Sequence, residues 1–303
     1  MLKRIIILFF ILCTSATAQY NFLYRQYVLN QLGLNPGYTG SREVFVVAGH
    51  MRAQWLGVEG APVTETVAAD APLKKNKIAI GFYAINEKIA TTRNTNFDIN
   101  YAYRIPMRVG KLSFGLKTSL NTFNTKQPGE LNNTIDQVFA GDNRSYFFPN
   151  FGVGVYYYDF NRFFFGLSVP SLLNYKNSDT DEGYEIENNV KYYNFLGSAG
   201  VLVNINEKLK WRLSSLAQYS MLTSFDCDVN TMFIIDNLVW VGGSYHTSGI
   251  MVFMAQYQVN PQLKVGYSYD YSMGLLNYLG GSHEIMLRYE FSYIIKAVSP
   301  IFF

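Results

Sequence analysis

The stretch Asn96-Phe97-Asp98-Ile99-Asn100-Tyr101-Ala102-Tyr103-Arg104-Ile105 decides the fold class. Phe97, Ile99, Tyr101, Tyr103 and Ile105 share one parity, and Asn96, Asp98, Asn100 and Arg104 share the other. Neighbouring residues of a strand point to opposite faces, so this is a strand with one apolar and one polar side. Residues 111–121, 263–271 and 284–293 read the same way. Lys111, Lys117, Arg288 and Glu290 join Asp98 and Arg104 on the polar side. A soluble antiparallel sheet also alternates, but it buries its apolar face under a second layer. No amphipathic helical segment offers that layer, which leaves a two-sheet sandwich as the alternative to a closed barrel in a membrane.

Composition favours the barrel. The chain has 303 residues, of which 16% are charged and 17% aromatic, with 24 Tyr, 23 Phe and 24 Gly. Mean hydropathy is +0.01. The one long apolar run, residues 5–12, is far below the roughly 18 residues a membrane helix needs. Abundant aromatics without a helical span describe a transmembrane β-barrel. Net charge of +3 gives no electrostatic case for nucleic acid.

The N-terminus reads as an export signal. Lys3 and Arg4 precede the apolar run, and Ala16-Thr17-Ala18 supplies small residues for cleavage, so 1–18 is expected to be a signal peptide. A lipoprotein reading of Cys13 is opposed by the bulky Phe10-Ile11-Leu12 before it. Cys227 is then the single cysteine of the mature chain, with no disulfide framework.

Counting alternating segments gives about 14 antiparallel strands over 44–303. They fall near 44–55, 63–71, 77–86, 94–105, 110–122, 149–159, 162–170, 190–205, 209–221, 228–236, 238–247, 250–258, 262–271 and 282–295. Their connections sort into two alternating sets. One set is tight: 106–109, 159–162, 206–208, 236–237 and 260–262. The other holds the long links: 123–148, 171–189 and 272–281. Outer-membrane barrels have short periplasmic turns and longer outside loops. Both termini are therefore expected to be periplasmic. Residues 19–43 lack alternation and are expected to form a periplasmic N-terminal segment or a plug in the lumen.

Motifs for chemistry are sparse. His283 and Glu284 are adjacent and so must face opposite sides of a strand. No nucleophile elbow is present, since Gly197-Ser198-Ala199-Gly200 lacks the spacing. The glycine of Asp179-Thr180-Asp181-Glu182-Gly183 comes one position early for a calcium loop. Mixed charges in the lumen can bridge and close it, whereas a selective pore favours one sign. The runs Phe147-Phe148, Tyr156-Tyr157-Tyr158 and Phe163-Phe164-Phe165 are expected in the aromatic girdle at a membrane interface. No catalytic residue, metal ligand or cofactor is assigned.

Several blocks carry a family resemblance. Gln26-Tyr27-x-x-Asn30-x-Leu32-x-x-Asn35-Pro36-Gly37-Tyr38-Thr39-Gly40 resembles the opening signature of the PorP/SprF proteins, with Gly37 and Thr39 where that family usually has alanine. Arg52-x-Gln54-Trp55-x-Gly57-x-x-Gly60-Ala61-Pro62-x-Thr64 is similar to its next block. Pro149-Asn150-Phe151-Gly152-x-Gly154 and Gly166-Leu167-Ser168-Val169-Pro170 resemble its middle strands. Gly266-Tyr267-Ser268-Tyr269-Asp270-Tyr271 and Ser282-His283-Glu284-Ile285-Met286-Leu287 resemble its end. His246 stands where arginine is expected. The resemblance implies a non-enzymatic outer-membrane component of type IX secretion in Bacteroidetes, a Gram-negative group. It also implies support for export or surface anchoring of a cognate secreted protein, such as a gliding-motility protein or adhesin, through its C-terminal signal domain. Periplasmic secretion-system lipoproteins and peptidoglycan-linked components are further implied partners. An outer-membrane channel for small solutes is the alternative.

Loops longer than about 15 residues are usually functional or disordered. Partner contacts are therefore expected on the long outside loops, at Asn132, Asn133, Asp136 and Asp142 and at Tyr184, and beside them at Trp55, Gly57, Gly60 and Pro62. In the N-terminal segment the candidates are Tyr27, Asn30, Asn35, Pro36 and Tyr38.

Overall fold

A computed structural model describes residues 31–73, 76–125, 144–159, 162–177, 184–222, 225–273 and 280–291. The strands are β1 (Phe45–Ala53), β2 (Val63–Leu73), β3 (Ile78–Ile89), β4 (Thr92–Pro106), β5 (Lys111–Thr125), β6 (Arg144–Asp159), β7 (Phe163–Val169) and β8 (Asn174–Asn177). They continue with β9 (Tyr184–Glu187), β10 (Phe195–Asn204), β11 (Leu209–Tyr219), β12 (Asp226–Ile235), β13 (Val239–His246), β14 (Ile250–Gln258), β15 (Leu263–Ser272) and β16 (Ser282–Phe291). All but β8 and β9 form one closed antiparallel barrel of 14 strands in chain order, and β8 and β9 make a separate hairpin. The last strand closes on the first in a continuous register, from Phe45 opposite Phe291 to Ala53 opposite His283. Closure leaves no strand edge unpaired, which a hydrocarbon environment requires.

The barrel is inside out relative to a soluble protein. On β4, Phe97, Ile99, Tyr101 and Tyr103 are exposed outward while Asp98, Asn100 and Arg104 are buried in the lumen. Among the described residues, buried polar and charged side chains outnumber buried apolar ones. An apolar patch of the lumen is formed by Met232, Ile250, Val252 and Met254. The aromatic runs split between the two sides. Tyr157, Phe163 and Phe165 face outward, but Tyr156 and Tyr158 are buried inside and Phe164 packs against them. Only part of each run can therefore belong to an outer girdle, because alternation turns the remaining rings into the lumen.

The tight connections gather at the end from which the chain enters β1 and leaves β16. They follow from local side-chain chemistry. Asn206 Oδ1 accepts from the amides of Lys208 and Leu209 at 2.9 and 2.7 Å. Asn260 Oδ1 does the same for Gln262 and Leu263 at 2.9 and 2.8 Å. Such Asx turns reverse the chain within a few residues. Asp236 and Asn237 both take left-handed φ, 51° and 57°, the conformation a two-residue hairpin turn needs.

The opposite end, termed here the loop end, is uneven. β4, β5 and β6 are 15, 15 and 16 residues long. A spanning strand needs about 9–11 residues, so these project by about 5 residues, or about 15 Å along the strand. The expected loop 123–148 is correspondingly shorter, because β5 runs to Thr125 and β6 starts at Arg144. The expected loop 171–189 contains the β8–β9 hairpin.

Candidate functional site

Residues 31–41, ahead of β1, lie inside the barrel. Asn35-Pro36-Gly37-Tyr38 forms a short 3-10 turn against β4, β5, β6 and β7. Asn35 caps the turn by accepting from the Gly37 amide at 2.8 Å. Its Nδ2 donates into the wall, to the carbonyls of Val155 and Leu167 at 3.1 and 3.3 Å. The wall is stripped of side chains there. A Cβ on Gly115 would fall inside the backbone of Pro36 and Gly37, and one on Gly154 would overlap the Asn35 amide. Tyr38 stacks edge-on against Tyr156 with ring centroids 5.4 Å apart. Thr39 Oγ1 closes the turn by donating to the Pro36 carbonyl at 2.7 Å.

Further bonds tie this segment around the circumference. Ser168 on β7 donates to the Leu34 carbonyl at 2.8 Å. The Gly40 amide donates to Asp70 on β2 at 2.7 Å, and the Gly40 carbonyl accepts from Arg104 on β4. Arg42 pairs with Glu290 on β16 at 2.5 Å, and Glu43 with Lys111 on β5.

The rest of the lumen is cross-linked by buried charge pairs. Arg52 meets Asp270 at 2.6 Å, joining two sequence blocks 218 residues apart. Beside them His50 Nδ1 lies 3.4 Å from Glu284, and Lys117 lies 3.4 Å from Asp98. The six charged positions assigned to the polar face, Asp98, Arg104, Lys111, Lys117, Arg288 and Glu290, all point inward and all have an ionic or hydrogen-bonding partner.

At the loop end, residues 54–62 form a braced turn. The Gln54 amide donates to the Pro62 carbonyl at 2.9 Å, Leu56 donates to Gly281 at 3.1 Å, and Ala90 donates to Gly60 at 2.9 Å. Trp55 is half-buried with φ of 47°, and its amide reaches Ser282 Oγ at 3.4 Å. Gly57 and Gly60 are exposed, whereas Pro62 is buried. Leu56 and Val58 stand out from the turn at 63% and 39% exposure. Across the mouth, Ile186, Val190, Met221 and Leu222 are also exposed.

Asn150 fastens this end. Its Oδ1 accepts from the amides of Phe151, Leu172 and Leu173 at 2.8, 3.0 and 3.0 Å, and its Nδ2 donates to the Leu173 carbonyl at 2.8 Å. The strand leaving β7 is thereby folded back over β6 ahead of the β8–β9 hairpin. Asn150→Ala removes all four bonds and is expected to cost about 2–3 kcal/mol. Hydrogen exchange at Leu172 and Leu173 should then accelerate by at least tenfold while amides of β10 to β14 stay protected.

The sequence that builds this architecture is matched over residues 16–289 by the family model for the type IX secretion system membrane protein PorP/SprF. The chain belongs to the PorP/SprF family. No curated protein matches it. Among solved structures, the Acinetobacter baumannii outer membrane protein Omp33 is similar at 10% identity and a TM-score of 0.51, over 82% of this chain and 98% of that one. The Ralstonia pickettii toluene transporter TbuX is similar at 8% identity and a TM-score of 0.51, over 85% and 92%. A Pseudomonas aeruginosa FadL homologue is similar at 10% identity and a TM-score of 0.50, over 85% and 93%. At such identities the likeness is one of fold. Family and fold together make the protein an integral outer-membrane β-barrel of type IX secretion.

The candidate contact residues separate into three groups. Trp55, Gly57, Gly60 and Pro62 share the braced turn at the loop end, and Tyr184 opens β9 opposite Asn177 at the same end. Asn35, Pro36 and Tyr38 are all buried in the lumen, where the turn packs on the barrel wall. Asn132, Asn133, Asp136, Asp142, Tyr27 and Asn30 lie outside the described residues, as does the acidic stretch 179–183.

The histidines are dispersed. His283 faces outward against Tyr267, whose hydroxyl lies 2.6 Å from Nδ1, while Glu284 is buried inside. His246 Nδ1 receives both the hydroxyl and the amide of Ser248, which makes a local turn closure.

Two sets of lumen residues escape reading from sequence. One is the glycines that admit the turn. The other is a group of cations, Arg212 and Lys264 among them, that come together only through strand register. Inward parity marks each residue singly but does not say which share a depth.

Proposed function

We propose that this family member supports export or surface anchoring of a cognate secreted protein, holding that protein's C-terminal signal domain at the loop end, which lies outside the cell with both termini periplasmic. The observation that carries the reading is the shape of the loop end. One side of the mouth is raised by the long strands β4–β6, and the lower rim presents Leu56 and Val58 between β1 and β2, with Ile186 and Met221 across the mouth from them, to solvent. Apolar side chains exposed on a braced rim suit a protein-docking surface. The function is one of binding, with no catalytic step assigned to any residue. Residues 31–44 occupy lumen space that a small-solute channel would need, which weighs against the channel reading.

Deleting 132–143 tests it in cells. The barrel should remain in the outer membrane at its normal level, while the secreted partner passes into the medium. Retention of the partner at the surface by the deletion variant would overturn the proposal.

A further inference from the structure

Between the lumen turn and β1 the chain makes a tight reversal, at the end of the barrel opposite the loops. Gly40 and Glu43 both take left-handed φ, 71° and 60°, and the Glu43 amide donates to the Gly40 carbonyl at 3.0 Å. Gly40 must be bare, since a Cβ there would overlap the Ala79 side chain. Glu43 has no such reason to be left-handed. That conformation is unfavourable for a residue with a side chain and persists only where the surroundings hold it.

Two ion pairs hold it, and they leave the reversal in different directions. Glu43 pairs with Lys111 at the start of β5, and Arg42 pairs with Glu290 near the end of β16 at 2.5 Å. The wall runs β16, β1, β2, β3, β4, β5 between the two partners, so the pairs stretch the reversal across the mouth of the barrel. The Tyr158 hydroxyl on β6 adds a contact to Glu43 at 3.5 Å. The four paired side chains are between 22% and 38% exposed, whereas Arg52 and Asp270 deeper in the lumen are at 6% and 4%. Water and salt therefore reach the two pairs. A partly exposed pair contributes about as much as a left-handed residue costs, so the contacts that hold the reversal are matched in size by its strain. The lumen turn cannot leave the wall unless the chain between it and β1 changes direction, and the reversal sets that direction.

We propose that residues 40–43 are a charge-held strap that regulates how often the lumen turn undocks. With both pairs made, Glu43 stays left-handed and the turn is kept against the wall. When charge at this end is screened or captured, Glu43 relaxes to extended backbone, the reversal straightens and the turn is released toward the same end. The device answers to ionic conditions on one side of the membrane and does not depend on where a secreted protein docks on the other.

The test uses the full-length barrel in detergent and hydrogen exchange at the amides of Asn35, Tyr38 and Thr39, referenced to those of β10 to β14. These three amides are bonded within the lumen turn, so they report undocking and not fraying of the strap. Raising sodium chloride from about 0.1 to 1 M shortens the screening length from about 10 to 3 Å. Relative exchange should then rise by about fivefold, the effect of losing two partly exposed pairs. Glu43→Gln and Lys111→Gln should each raise it at low salt and blunt the response to added salt. The exchanged pair, Glu43→Lys with Lys111→Glu, should return it to the wild-type rate. Glu43→Asn loses the charge but takes left-handed φ readily, and should exchange more slowly than Glu43→Gln. Arg108→Gln, at an exposed position in the neighbouring turn, should change nothing. Exchange that ignores salt, an exchanged pair no better than its single members, Glu43→Asn as fast as Glu43→Gln, or an equal rise in Arg108→Gln would each overturn the proposal.

Discussion

Replacing Arg52 with alanine is expected to destabilise the barrel by about 3–5 kcal/mol, the usual effect of leaving one member of a buried ion pair without its partner. Arg52 and Asp270 are 2.6 Å apart, and their side chains are 6% and 4% exposed. Removing the guanidinium leaves the Asp270 carboxylate in a lumen that already holds Glu284 and Asp228 at the same end. Asp270→Ala should be similarly costly, for the converse reason. The double variant should lose clearly less than the sum, because neither charge is then stranded. Urea unfolding in detergent, followed by tryptophan fluorescence, reads all three. A loss below about 1 kcal/mol for Arg52→Ala would mean that water reaches Asp270 freely and that the pair contributes no more than a surface one.

The pair also shows what could be read from the sequence and what could not. The parity of Arg52 and of Asp270 is visible in their own strands, so each could be assigned to the lumen. Their contact depends on β1 closing against β16 and on β15 lying next in the sheet, information carried by register over the whole circumference. The strand count was legible because most strands have one lipid face and one polar face. It blurred where that contrast stops. Thr92-Arg93-Asn94-Thr95 at the start of β4 and Asn121-Thr122 near the end of β5 are polar on both faces, since they rise beyond the membrane, and a period of two cannot be seen in them. The β8–β9 hairpin, Asn174–Asn177 with Tyr184–Glu187, is too short to register against its loop. A lumenal plug was one of the two readings of residues 19–43, but the stretch of wall that receives Asn35, Pro36 and Tyr38 was hidden for another reason. Their environment is set by the missing side chains of Gly115 and Gly154, and an absent side chain leaves no pattern in a hydrophobicity reading.

Gly115→Val is therefore expected to open the barrel. A branched side chain at 115 would occupy the space of the Pro36 and Gly37 backbone, which cannot turn aside as a flexible side chain would. The 3-10 turn must then leave the wall, and the bonds of Asn35 to Val155 and Leu167 go with it. At about 1 kcal/mol each, those two wall bonds amount to about 2 kcal/mol, or roughly a thirtyfold shift toward the undocked state before the steric clash is added. Conductance across a planar bilayer should rise by at least tenfold over wild type, and the amides of 34–41 should lose hydrogen-exchange protection. Asn35→Ala should show the same change to a smaller degree. Gly197→Val is the matched control, because its Cβ points outward and meets Leu167 at an ordinary 3.6 Å. If Gly115→Val folds and conducts no better than that control, residues 31–44 are not what obstructs the lumen.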